Sequence, residues 1–396
     1  METKHPHITF RLPQALRERM LDDLRRPHAF AAERVGFLHT KSKVLADGLV
    51  LVVATNYVPV DDDHYIDDER VGAKINSTAS RLAMQRSLHQ QGGCFHVHLH
   101  AHRGKPTPSR TDNRGLPGVI ESFANIVPTQ ANGVLILSED SFFAAVKIHG
   151  TAGYHAPNLI SVVGKPLRLV YERAKTATNP LYDRQSFLGD DASCVFENIR
   201  VGIIGYGGGG SHIGQQLAHL GVKNVVVFET MLKTRVAERT ITNILPTANV
   251  TRIDRRWQEQ PEALQSCDVV IGCVDSYAER QQAEAECRRY LIPYIDIGMD
   301  VHRADDEPHS MSGQVILSVP GHPCLSCFGF LTEKKLALEA ATYGNVGGRP
   351  QVVWPNGVLA STAVGIFVNL VTNWTKDAAG APSYLSYDGN TGIIQE

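Results

Sequence analysis

The apolar run Val201–Ile204 passes directly into the glycine-rich stretch 205–211, GYGGGGS, and then into the helical run Ser211–Leu220. A strand, a glycine turn and a helix in that order leave few folds open. The helix must cross back over a sheet before a parallel strand can pair beside the first. Asn224–Glu229 supplies that strand and completes a βαβ unit. A helix near Thr234–Ile244, strands Val250–Asp254 and Asp268–Val274, helix Ala278–Arg289 and strand Pro293–Gly298 follow. Their alternation predicts a doubly wound, mostly parallel sheet.

The preceding residues have another rhythm. Strand His7–Leu12, helix Pro13–Arg26 and strands Arg34–Leu38 and Leu49–Val60 come first. Helix Ser77–Gln91, strand Cys94–His102, a helix Arg110–Ala124 capped by Ser109, and strands Val134–Leu137 and Phe142–Ile148 complete the set. Without strict alternation, this part reads as an α+β domain. A chain of 396 residues exceeds the size of a single core. The polar stretch 172–195 is the expected linker between a domain at 1–171 and a second at 196–396. The fold class expected is therefore α/β, an α+β domain followed by a Rossmann-like one.

Composition narrows the setting. A hydrophobic share of 43% with 20% charged residues argues against disorder, and a net charge of −2 gives no reason to expect nucleic acid. No apolar run approaches the ~20 residues that span a bilayer, so no membrane is expected. The opening METKHPHITFRLPQ lacks the apolar core of a signal peptide. Seven scattered cysteines do not read as a disulfide framework, and a cytoplasmic protein is expected.

Residues 96–112, HVHLHAHRGKPTPSRTD, carry the first chemical signature. His96, His98, His100 and His102 alternate, so on one strand all four side chains share a face. Zn2+ takes imidazoles and a carboxylate and keeps one position open in catalytic sites. Two strand histidines and Asp112, three residues after the cap Ser109, would supply three ligands. The Ser109 hydroxyl would then stabilise an oxyanion, and a separate carboxylate would act as base. This pattern resembles the JAMM/MPN+ (JAB) metalloprotease family, which has a distant Glu, His-x-His, and then Ser-x-x-Asp. The resemblance implies that Glu33, in AERVGFL, is the base. The family reaches its histidines through Gly, two apolar residues and His-x-His, which Gly93–His98 matches. That selects His96, His98 and Asp112 as metal ligands, with His100 the alternative partner of His98.

The second signature is the glycine turn. Gly205, Gly207, Gly208 and Gly210 would let backbone N–H groups approach phosphate at a helix N-terminus opening at Ser211. Glu229, ending the next strand, would accept from ribose hydroxyls. These features alone also suit a dinucleotide oxidoreductase. RVGIIGYGGGGSHIGQQLAHLGV, with YDRQ at 182–185, DVVIGCVDSYAERQ, IPYIDIGMD, GQVILSVPGHPCLSC and WPNGVLASTAVGIF, resembles the ThiF/MoeB/HesA and ubiquitin-activating adenylation family. The resemblance implies ATP as cofactor and Arg184 on its phosphates, contributed across a homodimer. It also implies Asp275 near Mg2+, Arg280 on the following helix, and Lys233 on ATP.

In one place the chain departs from that pattern. After Glu229, Met231 stands where the family has a second Asp, and the usual Asn/Arg-rich segment is missing; Arg235 or Arg239 would have to substitute. Cys324-Leu-Ser-Cys327 matches half of the family's four-cysteine zinc site, but no cysteine follows it. The two thiols are packing residues, a redox pair, or, at Cys327, a thioester-forming nucleophile. Cys94, Cys194, Cys267, Cys273 and Cys287 read as ordinary core or surface residues.

Fused JAB–ThiF proteins of bacteria, which the chain resembles, imply a bifunctional enzyme. One domain would trim or release a ubiquitin-like or sulfur-carrier protein at its C-terminal tail, the other would adenylate that tail, and a conjugating enzyme would be a further partner. The alternative is an active peptidase with a degenerate adenylation fold that only docks the modifier or a partner.

Overall fold

The structure, a computed structural model, describes residues 6–27, 31–68, 72–172, 180–302, 309–341, 352–372, 374–375 and 382–396. The chain forms two compact units, Met1–Val162 with Leu169–Arg173, and Val163–Arg168 with Ala174–Glu396. The short segment 163–168 thus packs with the second unit before the chain returns to the first.

The N-terminal unit comprises β1 (Ile8–Pro13), α1 (Gln14–Leu24), β2 (Val35–Val44), β3 (Val50–Pro59), α2 (Ser77–Gln90), β4 (Gly93–Leu99), α3 (Arg110–Ile126), β5 (Asn132–Leu137), β6 (Phe142–Lys147), β7 (Leu159–Val163) and β8 (Arg168–Tyr171). Its mixed sheet runs β6-β5-β4-β2-β3-β1-β7-β8. β4 pairs antiparallel with β2, setting Val35 opposite His98, Phe37 opposite His96 and His39 opposite Cys94. Alternation along the two strands sorts the faces. Phe95, Val97 and Leu38 pack with Met20, Leu21 and Leu24 of α1. Val35, Phe37 and Cys94 pack with Ala79 and Ala83 of α2 and Phe123 of α3. The histidines therefore lie on the α2–α3 face.

The expected strand Cys94–His102 ends early, at Leu99. His100 and His102 thus leave the ladder, and the four histidines do not share one strand.

The C-terminal unit comprises α4 (Ala192–Asn198), β9 (Arg200–Ile204), α5 (Gly208–Leu220), β10 (Asn224–Phe228), α6 (Met231–Ile244), β11 (Asn249–Ile253), α7 (Pro261–Gln265), β12 (Val269–Gly272), α8 (Tyr277–Arg289), β13 (Tyr294–His302), β14 (Ser310–Ser318), α9 (Glu333–Ala341), α10 (Val353–Val371), β15 (Tyr384–Asp388) and β16 (Ile393–Gln395). Its sheet runs β11-β10-β9-β12-β13-β14-β15-β16, with the first five strands parallel and the last three added antiparallel. The order reverses between β9 and β12, which opens a crevice at the carboxyl ends of these strands. Helix α10 has 19 residues and a mean hydropathy of 1.3, so a run of near-spanning length does exist, contrary to the sequence expectation. It packs against α5, β13 and β14 as a core helix.

One buried ion pair stands out in this unit. The Arg280 guanidinium on α8 contacts Asp296 on β13, with side-chain exposures of 5% and 0%, and Tyr294 donates its hydroxyl to the same carboxylate at 3.1 Å. A charge buried this deeply is tolerated only while its partner remains. Asp296→Ala is expected to destabilise the C-terminal unit by about 3–5 kcal/mol, read from the denaturant midpoint.

Candidate functional site

Two sites emerge, one in each unit. In the N-terminal unit, ligand atoms of Glu33, His98 and His100 lie within 4.8 Å of one another. Asp112 joins them, with Oδ1 3.4 Å from His98 Nε2 and Oδ2 3.5 Å from His100 Nε2. Each side chain is held by its local structure. Ser109 caps α3 by accepting from the Asp112 amide at 3.1 Å, while Asp112 Oδ2 accepts from the Ser109 amide at 2.7 Å. This capping box fixes the carboxylate one helical turn from the cap. Glu33 is tied through its amide to the Gly72 carbonyl at 2.9 Å. A Cβ on Gly72 would fall 2.7 Å from the Glu33 carboxyl carbon, so only glycine leaves that carboxylate its place.

The geometry corrects the histidine register. His96 is not in the cluster; its ring packs edge-on to Phe37 with centroids 6.1 Å apart. Burial, with His98 beside it, pushes the His96 imidazole down to about 3. His102 is exposed and turns to the Arg103 carbonyl at 2.8 Å. His100 takes the second position because the strand stops at Leu99 and the chain bends there. The donor set suits a metal such as Zn2+: two imidazoles with carboxylates are usual ligands of that ion, and the buried His98 has no hydrogen-bond partner at Nδ1 while its Nε2 faces Asp112. Burial alone would raise the Asp112 carboxyl, but hydrogen bonding and charge from His98, together with the Ser109 amide, outweigh it and hold the group well below the usual carboxylate range.

In the C-terminal unit, the crevice is a cavity of about 780 Å3. Gly205, Gly207 and Gly208 form its floor, joined by Glu229, Lys233 and Asp275. Gly205 adopts φ +86°, and a Cβ on Gly210 would fall 2.0 Å from the Gly205 carbonyl oxygen. These two glycines let α5 start tightly on the turn and aim its first amides at the cavity. Gly210 is therefore a packing residue beneath the turn, outside the lining. The helix opens at Gly208 rather than Ser211, and the Ser211 hydroxyl donates back to the Gly208 carbonyl at 3.1 Å instead of facing the cavity.

Glu229 Oε2 accepts from the Tyr206 amide at 3.2 Å and meets Lys233 at 3.3 Å. Burial acts to raise its carboxyl, but the Thr230 and Tyr206 amides and Lys233 lower it on balance. Because α6 begins at Met231, the family's Asn/Arg segment has no room, and Arg235 and Arg239 are exposed outside the lining. The cations come from elsewhere: Arg255 and Arg256, directly after β11, line the cavity with Asp254, Trp257 and Glu259. The sequence reading missed them; the signal was a pair of arginines at the carboxyl end of a parallel strand, where ligands bind. Burial raises the Glu279 carboxyl, and Glu229 and Asp275 reinforce this while Arg256 opposes it. The lining carries more carboxylates (Glu229, Asp254, Glu259, Asp275, Glu279) than cations (Lys233, Arg255, Arg256). A polyanionic ligand would therefore need a divalent cation with it.

Three expected residues lie elsewhere. Arg280 belongs to the buried pair with Asp296, which corrects its assignment to the nucleotide. Arg184 is exposed on the 3-10 segment Pro180–Leu188 and lines no part of the cavity in the single chain. Cys327 is exposed, its Sγ 3.2 Å from that of Cys324, and it too is outside the lining. Hydrogen bonds from Cys324 lower its thiol below the ordinary value.

Residues 229–396 match the ThiF family. The chain carries a ThiF family domain over that stretch. The match includes Lys233 and Asp275 and leaves the glycine turn and the N-terminal unit outside it. Among solved structures, E. coli MccB with MccA-N7isoASN aligns with TM-score 0.44 and 17% identity over 57% of this chain and 73% of that one. E. coli MccB with ATP gives TM-score 0.44 and 15% identity over the same shares. PaaA gives 0.41 and 15% over 56% of this chain and 75% of its own. No curated protein matches the chain.

Zinc affinity of the full chain, measured by competition with a chromogenic chelator, is expected to fall about 100-fold or more in His98→Ala, His100→Ala and Asp112→Ala. His102→Ala should keep it. Loss in His102→Ala with full affinity in His100→Ala would overturn the register. Gly72→Ala, by displacing Glu33, is expected to weaken binding roughly 10-fold.

Proposed function

We propose that the C-terminal unit binds ATP with Mg2+ and adenylates the C-terminal carboxylate of a ubiquitin-like or sulfur-carrier protein. In the same proposal, the N-terminal unit hydrolyses an amide or isopeptide bond at that tail. The observation that carries the first half is one cavity in which the α5 amides, Glu229, Lys233, Asp275 and Arg255–Arg256 converge. The ThiF match supports the same reading.

In the adenylation step a carboxylate oxygen attacks the α-phosphorus, the bond to the bridging oxygen breaks, and pyrophosphate leaves with the electron pair. Charge accumulates on the phosphoryl oxygens and the leaving group. The α5 amides, Lys233 and the two arginines are placed to offset it. Glu229 would accept from the ribose hydroxyls. Asp275 would hold Mg2+, which supplies countercharge to the phosphates. Arg255 and Arg256 restore the cations that the shortened segment after Glu229 removes, which weighs against a module that only docks its partner. Arg184 would complete the site of a second copy. Cys327 has no part in the step.

In the N-terminal unit His98, His100 and Asp112 would hold Zn2+, which when bound supplies Lewis acidity toward a carbonyl. Glu33 would take the proton from the attacking water and pass it to the leaving amine. The Ser109 hydroxyl would donate to the developing oxyanion. Both units would then act on one ligand, an extended C-terminal tail.

Exchange of labelled pyrophosphate into ATP, run with candidate ubiquitin-like proteins ending in Gly-Gly, tests the reading. Exchange is expected with the cognate protein, to be lost in Asp275→Asn and to fall about 100-fold in an Arg255→Gln/Arg256→Gln double variant. Tight ATP binding with no exchange for any such protein would favour the docking alternative.

A further inference from the structure

The segment between β14 and α9 carries Cys324 and Cys327, which neither proposed reaction uses. Their Sγ atoms lie 3.2 Å apart, close enough for one thiol to donate to the other, and the Cys327 amide donates to Cys324 Sγ at 3.4 Å. Cys327 is exposed and Cys324 half-buried, whereas Cys94, Cys267 and Cys287 are buried. An external reagent therefore meets Cys327 first and finds Cys324 beside it.

The backbone around the pair is tied down on both sides. Arg288 of α8 donates to the Val319 and His322 carbonyls, each at 3.1 Å. The Leu325 amide donates to Glu284 of α8 at 2.8 Å, and the Leu325 side chain is buried in one core cluster with Phe330 and Leu331. The Phe328 amide returns to the Cys324 carbonyl at 3.0 Å, and the Phe328 ring stacks on Tyr384 of β15. A disulfide bond, at about 2.05 Å, is thus roughly 1 Å of sulfur movement away, with little backbone to reorder. A metal finds less here. Zn2+ in a structural site takes four ligands. Among the described residues, Glu33, His98 and His100 form the one cluster of three or more metal-binding side chains, so no third ligand joins the two sulfurs. Hydrogen bonding from Cys324 lowers the Cys327 thiol, which raises its share of thiolate, the attacking form.

We propose that Cys324 and Cys327 form a reversible dithiol–disulfide couple that exchanges with low-molecular-weight disulfides such as glutathione disulfide. The Cys327 thiolate attacks one sulfur of the external disulfide. That S–S bond breaks, one thiolate leaves with the electron pair, and a mixed disulfide remains on Cys327. Cys324 then gives up its proton and attacks Cys327 Sγ, which expels the second thiolate. The two protein thiols are oxidised by two electrons, and the external disulfide is reduced to two thiols that take up the released protons. Both cysteines lie outside the lining of the glycine-turn cavity, so the couple does not depend on the nucleotide reading.

The test equilibrates the reduced, EDTA-treated full chain with mixtures of glutathione and glutathione disulfide. The samples are quenched with acid, alkylated under denaturing conditions, and each cysteine is read by mass spectrometry. An intramolecular Cys324–Cys327 disulfide is expected in excess glutathione disulfide, with Cys94, Cys267 and Cys287 alkylated and all thiols recovered with dithiothreitol. In Cys324→Ser, glutathione should be trapped on Cys327; in Cys327→Ser, its attachment to Cys324 should be about tenfold slower or more. A pair that stays reduced in roughly a hundredfold excess of glutathione disulfide, or that takes up glutathione without closing, would overturn the proposal. So would Zn2+ held tightly by a His98→Ala/His100→Ala variant and released by adding Cys324→Ser, because the pair would then be part of a metal site.

Discussion

The close contact between Gly210 and the carbonyl of Gly205 sets the geometry of the C-terminal unit. A side chain at either position would lift α5 off the turn, because a Cβ at Gly210 would sit 2.0 Å from that oxygen and one at Gly205 2.6 Å from the Cys273 carbonyl oxygen. With the contact in place, the first amides of α5 have no intrahelical acceptors and point into the crevice where the strand order reverses. Glu229 is then fixed from the other side of the turn by the Tyr206 amide, and Lys233 follows one helical turn later. In the proposed reading, phosphate recognition would be a backbone property first and a side-chain property second.

The N-terminal unit reaches its site by a comparable economy. Asp112 both closes the cap of α3 and faces His98 and His100, so the interaction that starts the helix also positions the carboxylate proposed as a metal ligand. The strand that carries His98 stops one residue later, at Leu99, which frees His100 to turn toward the same carboxylate.

Much of this was legible from residue order. The β9–α5–β10 unit, the glycine turn and the pairing of Ser109 with Asp112 follow from periodicity and capping chemistry, which are local. What was not legible is what depends on distant partners. The histidine register turned on where β4 ends, and four alternating histidines look like one continuous strand. Arg280 resembles a ligand in sequence, but β13 places Asp296 against it and buries both. Arg255 and Arg256 enter the cavity because β11 pairs with β10 and ends level with it, a consequence of sheet order invisible in the run RIDRRWQ. His39 lies just past the expected strand Arg34–Leu38; β2 runs on through it, and it is buried.

The central claim is that the α5 amides and the Arg255–Arg256 pair hold one triphosphate between them. A crystal structure of the full chain with a non-hydrolysable ATP analogue and Mg2+ tests it most directly. The expected result places phosphate oxygens against the amides of 208–210 with a guanidinium of Arg255 or Arg256 in contact, the ribose on Glu229, and the cation on Asp275. A nucleotide bound away from the glycine turn, or bound there with both arginines turned to solvent, would contradict the account.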